Sequence, residues 1–328
     1  MARYKVDVVI PIYNSLDWLK ICVDALIRNT DFDIIRKIYL IDDCSTEETG
    51  VYLDEVEKKW DGIVEVVYNK ENLGFLKTCN KAIRMTRGDY VLLLNTDCIV
   101  SKNAIEKMAN AMSNDKKIGL LCPIASVSAN ISYSIPEGMN FMQVNELFEK
   151  QFAGKTFDAC TVVGNCLMIS RNNIRKVGLF DEIFGKGYSE ETDYQFKSMK
   201  KGFKAKVLID TFVYHQSRVS FGESPEQLKI REEHLNIFFK RWGPEYTKLH
   251  EEYKKNDPIE YIKEHIKFSD VKYDYEITVD NKKELDNVSK IVNSAMLTGT
   301  NIKVITKESI LKDSKTVMLY NPQIKKVH

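Results

Sequence analysis

Short apolar runs alternate with amphipathic helical segments through the first 125 residues, and this alternation most constrains what the chain can fold into. The runs are short enough for strands, and apolar residues between them recur at helical spacing, as at Leu16, Leu19, Val23 and Leu26. Strands that alternate with helices predict an α/β fold with a mainly parallel sheet covered on both faces. The predicted strands are residues 6–12, 38–41, 63–68, 90–94 and 119–123.

A similar pattern continues after a looser stretch at residues 125–160. A charged segment at residues 251–258 marks a change in composition, so we expect a large domain over residues 1–250 and a small α/β unit over residues 251–328. One interpretation of the small unit is the start of a truncated second domain. The further predicted strands are residues 161–170, 204–209, 275–279, 301–306 and 316–320, and the further helices are residues 171–177, 225–242 and 285–296.

Charge and composition exclude several classes of protein. The formal net charge is +1 with acidic and basic residues intermixed, which argues against a nucleic-acid partner. No apolar run is long enough to cross a bilayer, and no signal peptide precedes the first strand. The seven cysteines include no Cys-x-x-Cys pair, which is typical of reduced thiols. We therefore expect a cytoplasmic protein, and we leave open peripheral contact with the inner face of the membrane and the oligomeric state.

Polar side chains follow each of the first four predicted strands. In parallel α/β sheets, ligands bind beyond the carboxyl ends of the strands, so these positions are where chemistry is expected. Four consecutive strands bring Asn or Asp groups to one edge, which we call the rim. Its members are Asn14, Asp42, Asp43, Asn72, Asn95 and Asp97.

Asp97 is the rim residue best suited to hold a divalent cation, because hard cations prefer oxygen ligands. A diphosphate in turn needs such a cation to neutralise its charge. Asn95 lies two residues earlier and could contribute beside it. Taken alone, an Asn-Thr-Asp or Asp-Asp segment after a strand is equally typical of a turn or a helix N-cap.

A second acidic cluster, formed by Glu190, Glu191 and Asp193, begins a predicted helix just after Gly185 and Gly187. The glycines indicate an open loop, and one of the carboxylates could act as a general base on an acceptor hydroxyl. The alternative is an ordinary acidic first helical turn, which the helix dipole favours.

His215 follows the predicted strand at residues 204–209, and Arg218 lies three residues further on. Both could face phosphate groups. The alternative interpretation is a surface histidine and a solvated arginine.

Together these segments resemble the family 2 glycosyltransferases, which have the GT-A fold, over roughly residues 5–245. Two departures from the family pattern are Asn95, where the metal motif has its first Asp, and Glu191, where the catalytic base is an Asp. The motifs occur in the family's order, with the opening strand at residues 8–14, the Asp-Asp-x-Ser segment at residues 42–45, the Asn-x-Gly segment at residues 72–74 with Asn80, the metal motif at residues 95–97, the acidic motif at residues 190–193, and His215.

The resemblance implies an inverting transfer of a sugar from a UDP- or dTDP-sugar to a hydroxyl of a glycan or lipid-linked acceptor, in bacterial surface-polysaccharide synthesis. It implies Mn²⁺ or Mg²⁺ on Asp97 and His215, and Glu191 as general base. The donor-nucleotide residues that it implies are Pro11, Tyr13, Asp42, Asp43, Asn72, Lys77, Asn95 and Thr96. The acceptor-side residues are Gly164, Asn165, Glu190 and Asp193.

Two other functions stay open. Asn95 allows a degenerate, non-catalytic module that binds a glycan or a partner on the same fold. A nucleotidyltransferase also places strand-end acids around a metal, although it usually opens with a Gly-rich basic loop that the first strand here lacks. A dinucleotide-binding dehydrogenase is disfavoured, because no Gly-x-Gly-x-x-Gly segment follows that strand.

Overall fold

The computed structural model describes residues 4–216, 225–268, 271–312, 314 and 316–325. Its strands are β1 (Val6–Ile12), β2 (Ile35–Asp42), β3 (Val64–Tyr68), β4 (Tyr90–Leu94), β5 (Cys98–Ile99), β6 (Ile118–Ala125), β7 (Thr156–Asp158), β8 (Cys166–Ser170), β9 (Lys204–His215), β10 (Tyr275–Val279), β11 (Ile302–Thr306) and β12 (Gln323–Ile324). Its α-helices are α1 (Leu16–Asn29), α2 (Glu47–Lys59), α3 (Phe75–Met85), α4 (Ala104–Asn114), α5 (Phe141–Phe152), α6 (Arg171–Val177), α7 (Glu190–Lys200), α8 (Pro225–Lys255), α9 (Pro258–His265), α10 (Lys282–Leu297) and α11 (Glu308–Leu311).

The main sheet confirms the predicted fold class. Within the described residues it has nine strands in the order β3-β2-β1-β4-β8-β6-β9-β5, with β7 paired to β9. The first four of these strands are mutually parallel, so their carboxyl ends lie at one edge. All five residues of β4 are buried, because this central strand is covered by helices on both faces.

Strand β8 runs antiparallel to β4 and pairs Cys166 with Leu94. The residues that precede β8 therefore lie beside the residues that follow β4. The prediction of one strand over residues 161–170 was wrong for its first half. There the backbone N–H of Val162 donates to the Gln195 side chain at 2.7 Å, and that of Val163 donates to Cys122 Sγ at 3.4 Å. These side chains replace a neighbouring strand as hydrogen-bond partners.

The C-terminal residues form a small parallel sheet, β10-β11-β12, with α10 beside it. The segment just before α5 docks onto this unit through the backbone. Gly138 donates to the Asn321 carbonyl and Asn321 to the Met139 carbonyl, both at 2.8 Å. The prediction of a strand over residues 316–320 was wrong, because Leu319 and Tyr320 pair with residues 140–141 instead of entering the small sheet.

The described residues form two hydrophobic cores. Ile259 and Ile262 of α9 and Met296 of α10 pack into the large core under the main sheet. β10, β11 and the remaining buried apolar residues of α10 supply a smaller core. Residues 250 and 251, where the sequence suggests a division, both lie within α8. Among the residues that the structure describes, no helix is both long and apolar enough to span a membrane.

Asp7 anchors the edge of the sheet that lies opposite the rim. It is fully buried in β1, and its Oδ1 lies 2.7 Å from Arg36 Nε. Its Oδ2 accepts the backbone N–H groups of Arg87 at 2.6 Å and Gly88 at 2.7 Å, just before β4. One carboxylate therefore connects β1, β2 and the entry to β4.

We expect Asp7→Ala to lower the free energy of unfolding by about 3–5 kcal/mol, because it removes the acceptor of two backbone N–H groups and of the Nε atom of the partly buried Arg36. Asp24→Ala is the control, since its ion pair with Arg28 is surface-exposed, and it should cost less than about 1 kcal/mol. Urea unfolding monitored by circular dichroism measures both. Equal losses in the two variants would contradict the anchoring role.

Candidate active site

The loops that follow β1 and β2 are bound to each other. Asn14 adopts a left-handed backbone with φ of 57°, which Asn tolerates better than most residues. Its backbone N–H donates to Ser45 Oγ at 2.8 Å, and its side-chain Oδ1 accepts the N–H of Thr46 at 3.0 Å. The sequence placed Asn14 on the rim but gave no sign of this connection.

The two adjacent aspartates of the rim have different surroundings. Asp43 accepts the N–H groups of Leu73 at 2.9 Å and Gly74 at 2.8 Å, and the side chain of Asn69 at 2.7 Å. Asp42 accepts only the Ser45 N–H at 3.2 Å through Oδ2, and its buried Oδ1 has no partner among the described residues. Asp43 thus shapes the loop before α3, whereas Asp42 keeps an acceptor for a ligand.

The other expected donor residues lie around this pair. Tyr13 is 46% exposed just after β1, and Pro11 is half-buried within it. Asn72 is exposed and donates to the Asp43 carbonyl at 3.3 Å. Lys77 is exposed on the first turn of α3, one turn beyond these contacts.

Asp97 and His215 meet where β5 pairs with the end of β9. Asp97 Oδ1 lies 3.6 Å from His215 Nε2, and both side chains are largely buried. The pairing of Cys98 with His215 brings them together, and the Gln216 N–H donates to the Asp97 carbonyl at 3.1 Å. The structure therefore brings together the two residues expected to hold a metal. Arg218, expected nearby, lies outside the described residues.

Backbone and side-chain contacts orient the His215 ring. Its Nδ1 lies 2.6 Å from the Val127 carbonyl, which can only accept, so Nδ1 donates to that carbonyl and Nε2 is the ring nitrogen that faces Asp97. Ser126 Oγ accepts the His215 N–H at 2.9 Å and donates to the His215 carbonyl at 3.0 Å. Ser126 and Val127 were not singled out in the sequence, since neither type signals such a role.

A backbone hydrogen bond connects the metal side of the site to the acidic side. Asn95 N–H donates to the Asn165 carbonyl at 2.9 Å, which extends the β4–β8 pairing beyond both strands. The side chains of Asn95 and Asn165 each keep a buried polar atom, Oδ1 and Nδ2 respectively, without a partner in the described residues. Thr96 is buried beside them.

Glu190 and Glu191 lie at the first turn of α7, with their carboxyl groups in hydrogen-bonding contact. Burial raises the pKa of Glu190 well above its usual range, and the charge of Glu191 raises it further. Burial also raises the pKa of Glu191, although hydrogen bonds from backbone N–H groups, including that of Gly164, act to lower it. The pair is therefore adjacent to the dipeptide Gly164-Asn165.

Asp193 lies apart from this pair, and both of its carboxylate oxygens already have partners. It is completely buried, and it contacts Arg241 Nη1 at 3.0 Å, Trp242 Nε1 at 2.9 Å and Lys197 Nζ at 2.7 Å. Its carboxylate attaches α7 to α8, so the structure does not bring it to the acceptor side with Glu190 and Gly164.

The loop before α7 packs directly on the loop before α3. A Cβ at Gly74 would lie 3.0 Å from Lys186 Cγ and 3.2 Å from Lys186 Cα. On its other side, the Gly187 carbonyl lies 2.7 Å from His234 Nδ1 of α8. The donor side and the acidic pair are thus held in fixed proximity by this close approach at a glycine.

The Asp97–His215 pair suits a cation that is shared with a phosphate ligand. Among the described residues no group of three or more His, Cys, Asp or Glu side chains could hold a metal. One carboxylate and one imidazole leave positions for water and phosphate oxygens, which is how Mg²⁺ and similar cations bind at nucleotide sites. The residues present therefore fit a cation that binds together with a diphosphate.

The fold and the rim define an α/β protein whose ligand site lies beyond the carboxyl ends of parallel strands. The family described as "Glycosyl transferase family 2" matches residues 7–178, which is more than half of the chain. The chain belongs to this family.

Curated relatives match over part of the chain. A poly(ribitol-phosphate) β-glucosyltransferase of Bacillus spizizenii is 30% identical over 110 residues, which are 32% of this chain and 17% of the relative. A putative teichuronic acid biosynthesis glycosyltransferase of Bacillus subtilis is 33% identical over 114 residues, which are 34% of this chain and 44% of the relative. The chain thus spans less than half the length of either relative.

Solved structures confirm the GT-A fold. GalNAc-T7 with UDP, GalNAc and Mn²⁺ has a TM-score of 0.58 at 21% identity, over 74% of this chain and 50% of that one. A mannosyltransferase from Pyrobaculum calidifontis in complex with GDP-Man and Mn²⁺ has a TM-score of 0.50 at 16% identity, over 67% of this chain and 59% of that one. At these identities the likeness concerns the fold alone.

Gly74→Ala tests the close approach of the two loops, with Gly62→Ala as its matched control. Both glycines have φ of +81°, so an alanine at either position carries a backbone cost of about 1–3 kcal/mol. A Cβ at Gly62 meets nothing within 4 Å. We expect Gly74→Ala to lower the free energy of unfolding by about 1–3 kcal/mol more than Gly62→Ala. The added Cβ displaces Lys186, and the ψ of 163° at Gly74 places its backbone in a region that is essentially confined to glycine. Equal losses in urea unfolding would show that the loops do not pack tightly.

Proposed function

We propose that this protein is an inverting glycosyltransferase that moves a sugar from a UDP- or dTDP-linked donor to a hydroxyl of a glycan or lipid-linked acceptor. One chain of contacts carries this proposal. Asp97 and Asn95 follow β4, Asn95 is hydrogen-bonded to Asn165, and the neighbouring Gly164 donates to Glu191. One short stretch of the rim therefore carries both Asp97, which is suited to binding a cation that neutralises a diphosphate, and Glu191, which is suited to accepting a proton.

The donor nucleotide binds along the loops that follow β1, β2 and β4. Asp42 Oδ1 is a buried acceptor without a partner among the described residues, so it can accept the N–H of a pyrimidine base. Tyr13 offers an exposed ring directly after Ile12, which pairs with Asp42, and Pro11 is half-buried in the same strand. Asp43 supports this pocket by holding the adjacent loop, and the remaining donor contacts come from Asn72, Lys77, Asn95 and Thr96.

Asp97 and His215 would hold Mn²⁺ or Mg²⁺ together with the diphosphate oxygens. When bound, such a cation stabilises the negative charge that develops on the leaving diphosphate. The protein's part is to present the Asp97 carboxylate and the Nε2 atom of His215 in one orientation. The contacts of His215 with Val127 and Ser126 fix that orientation.

Glu191 acts as the general base on the acceptor hydroxyl. Its half-buried carboxylate accepts the Gly164 N–H and lies across the Gly164-Asn165 dipeptide from the metal pair. Attack from this side on the sugar, opposite the leaving diphosphate, is a direct displacement and inverts the anomeric configuration. Gly164, Asn165 and Glu190 border the acceptor, and Asn165 Nδ2 is a buried donor available to a sugar hydroxyl.

Synthesis of a bacterial surface polysaccharide is the process that fits best. The support is sequence similarity to relatives whose names refer to poly(ribitol-phosphate) and teichuronic acid. Such an acceptor would be met at the inner face of the membrane.

Nucleotide release from a panel of UDP- and dTDP-sugars, with and without Mn²⁺, tests the proposed function. The variant Asp97→Ala tests the metal assignment. We expect calorimetry to show metal-dependent donor binding that Asp97→Ala weakens at least about 100-fold, because the cation loses its carboxylate ligand. Asp61→Ala, at an exposed turn residue, is the control and should bind like the wild type. Failure of every sugar to release nucleotide or to bind would overturn the proposed function, and unchanged binding in Asp97→Ala would overturn the metal assignment.

Glu191→Gln should lower turnover by about 10²–10⁴-fold while donor binding is retained, because the amide cannot accept the acceptor's proton. Glu232→Gln, at an exposed position of α8, is the matched control and should leave both quantities unchanged. Single-turnover kinetics with the identified donor separates the chemical step from binding. Wild-type turnover in Glu191→Gln would move the base to another residue.

A further inference from the structure

Two consecutive carboxyl groups share a buried position at the start of α7. Glu190 is 4% exposed, and its carboxyl group is in hydrogen-bonding contact with that of Glu191. The Oε2 atom of each is buried and has no N–H or O–H donor among the described residues. Two carboxylate oxygens have only lone pairs to offer each other, so a contact of this kind needs a proton.

The groups that face the pair bring no compensating positive charge. Cys79 of α3 and Cys122 of β6 are buried thiols whose pKa values burial raises, so both are neutral. Tyr188 in the preceding loop is also neutral, and Arg231 of α8 lies near Tyr188. The other α8 groups at this loop are Arg241, which binds Asp193, and His234, which contacts the Gly187 carbonyl. In the described part of the chain, neither glutamate forms an ion pair.

The pair therefore retains one proton at neutral pH, since two carboxylates in contact do not both ionise in a buried site. Glu191 has the better environment for the negative charge. It accepts the Gly164 N–H and is half-buried, whereas Glu190 is almost fully enclosed. The proton consequently belongs on Glu190.

We propose that Glu190 is a positioning residue that keeps its proton at neutral pH and donates it in a hydrogen bond to the carboxylate of Glu191. This inference rests on the proposed function, in which Glu191 is the base. The hydrogen bond holds one carboxylate oxygen, which leaves the other directed at the acceptor, and it gives the pair a single negative charge.

The proton balance of the transfer follows from this arrangement. Glu191 takes the proton of the acceptor hydroxyl as the hydroxyl oxygen forms its bond to the anomeric carbon. The bond from that carbon to the diphosphate breaks, and its electron pair leaves with the diphosphate. The carboxyl pair is then neutral, and it returns one proton to solvent before the next cycle.

Infrared difference spectroscopy tests the proton without requiring activity. We expect the spectrum of the wild type minus Glu190→Gln at pH 7 to show loss of one protonated-carboxyl C=O band. The control difference for Glu232→Gln should show loss of an ionised carboxylate band, because Glu232 is exposed on α8. Loss of a carboxylate band in Glu190→Gln would overturn the proposal, whether or not the protein proves to be a transferase.

The pH profile of kcat/KM tests the positioning role. Glutamine at position 190 keeps an N–H donor, so Glu190→Gln should hold the acidic limb within about half a pH unit of the wild type. Glu190→Ala removes the donor that stabilises the charged base, so its acidic limb should move up by about one pH unit. A purely structural role would lower the rate of Glu190→Ala equally at every pH. The positioning role would be overturned if the acidic limb of the pH profile stayed in place in both variants, or moved equally in both. Absence of turnover in the wild type would count against the proposed function alone.

Discussion

The hydrogen bond from Asn95 N–H to the Asn165 carbonyl is the contact on which the whole site depends. It exists because β8 lies antiparallel to β4, so the chain entering β8 runs beside the chain leaving β4. Residues 95–97 and 164–165 thereby become neighbours although about seventy positions separate them. His215 is attached to the first segment through its pairing with Cys98, and Glu191 is attached to the second through Gly164.

Buried polar groups fall into two sets that separate structure from function. Asp7, Asp43 and Asp193 have both carboxylate oxygens engaged, either by hydrogen-bond donors or, at Asp7 Oδ1 and Asp193 Oδ2, by ion pairs with Arg36 and Lys197. The other set keeps a buried atom without a partner in the described residues, which costs free energy unless a ligand supplies the missing group. Its members around the site are Asp42, Asn95, Asn165, Glu190 and Glu191.

The C-terminal unit is connected to the site through the segment that follows β6. Residues 138–141 pair with residues 319–321, and Ala125 pairs with residues 131–133 in the same segment. Ser126 and Val127, at the start of this segment, hold His215. Docking of the small unit therefore restrains the segment after β6, which orients His215, one of the two expected metal ligands. Residues beyond 300 are in this way connected to the rim.

The local pattern determined the α/β class, most strand positions and the rim. Apolar periodicity and polar strand ends depend on neighbouring residues, so Asp42, Asp97 and Glu191 could be named from the sequence and its family resemblance. Only the tertiary structure separated Asp42 from Asp43, removed Asp193 from the acceptor side and brought Ser126 and Val127 to His215. The reason is physical: the partner of a buried carboxylate or imidazole comes from a distant segment, and the strand order that brings it there is decided by packing across the whole sheet.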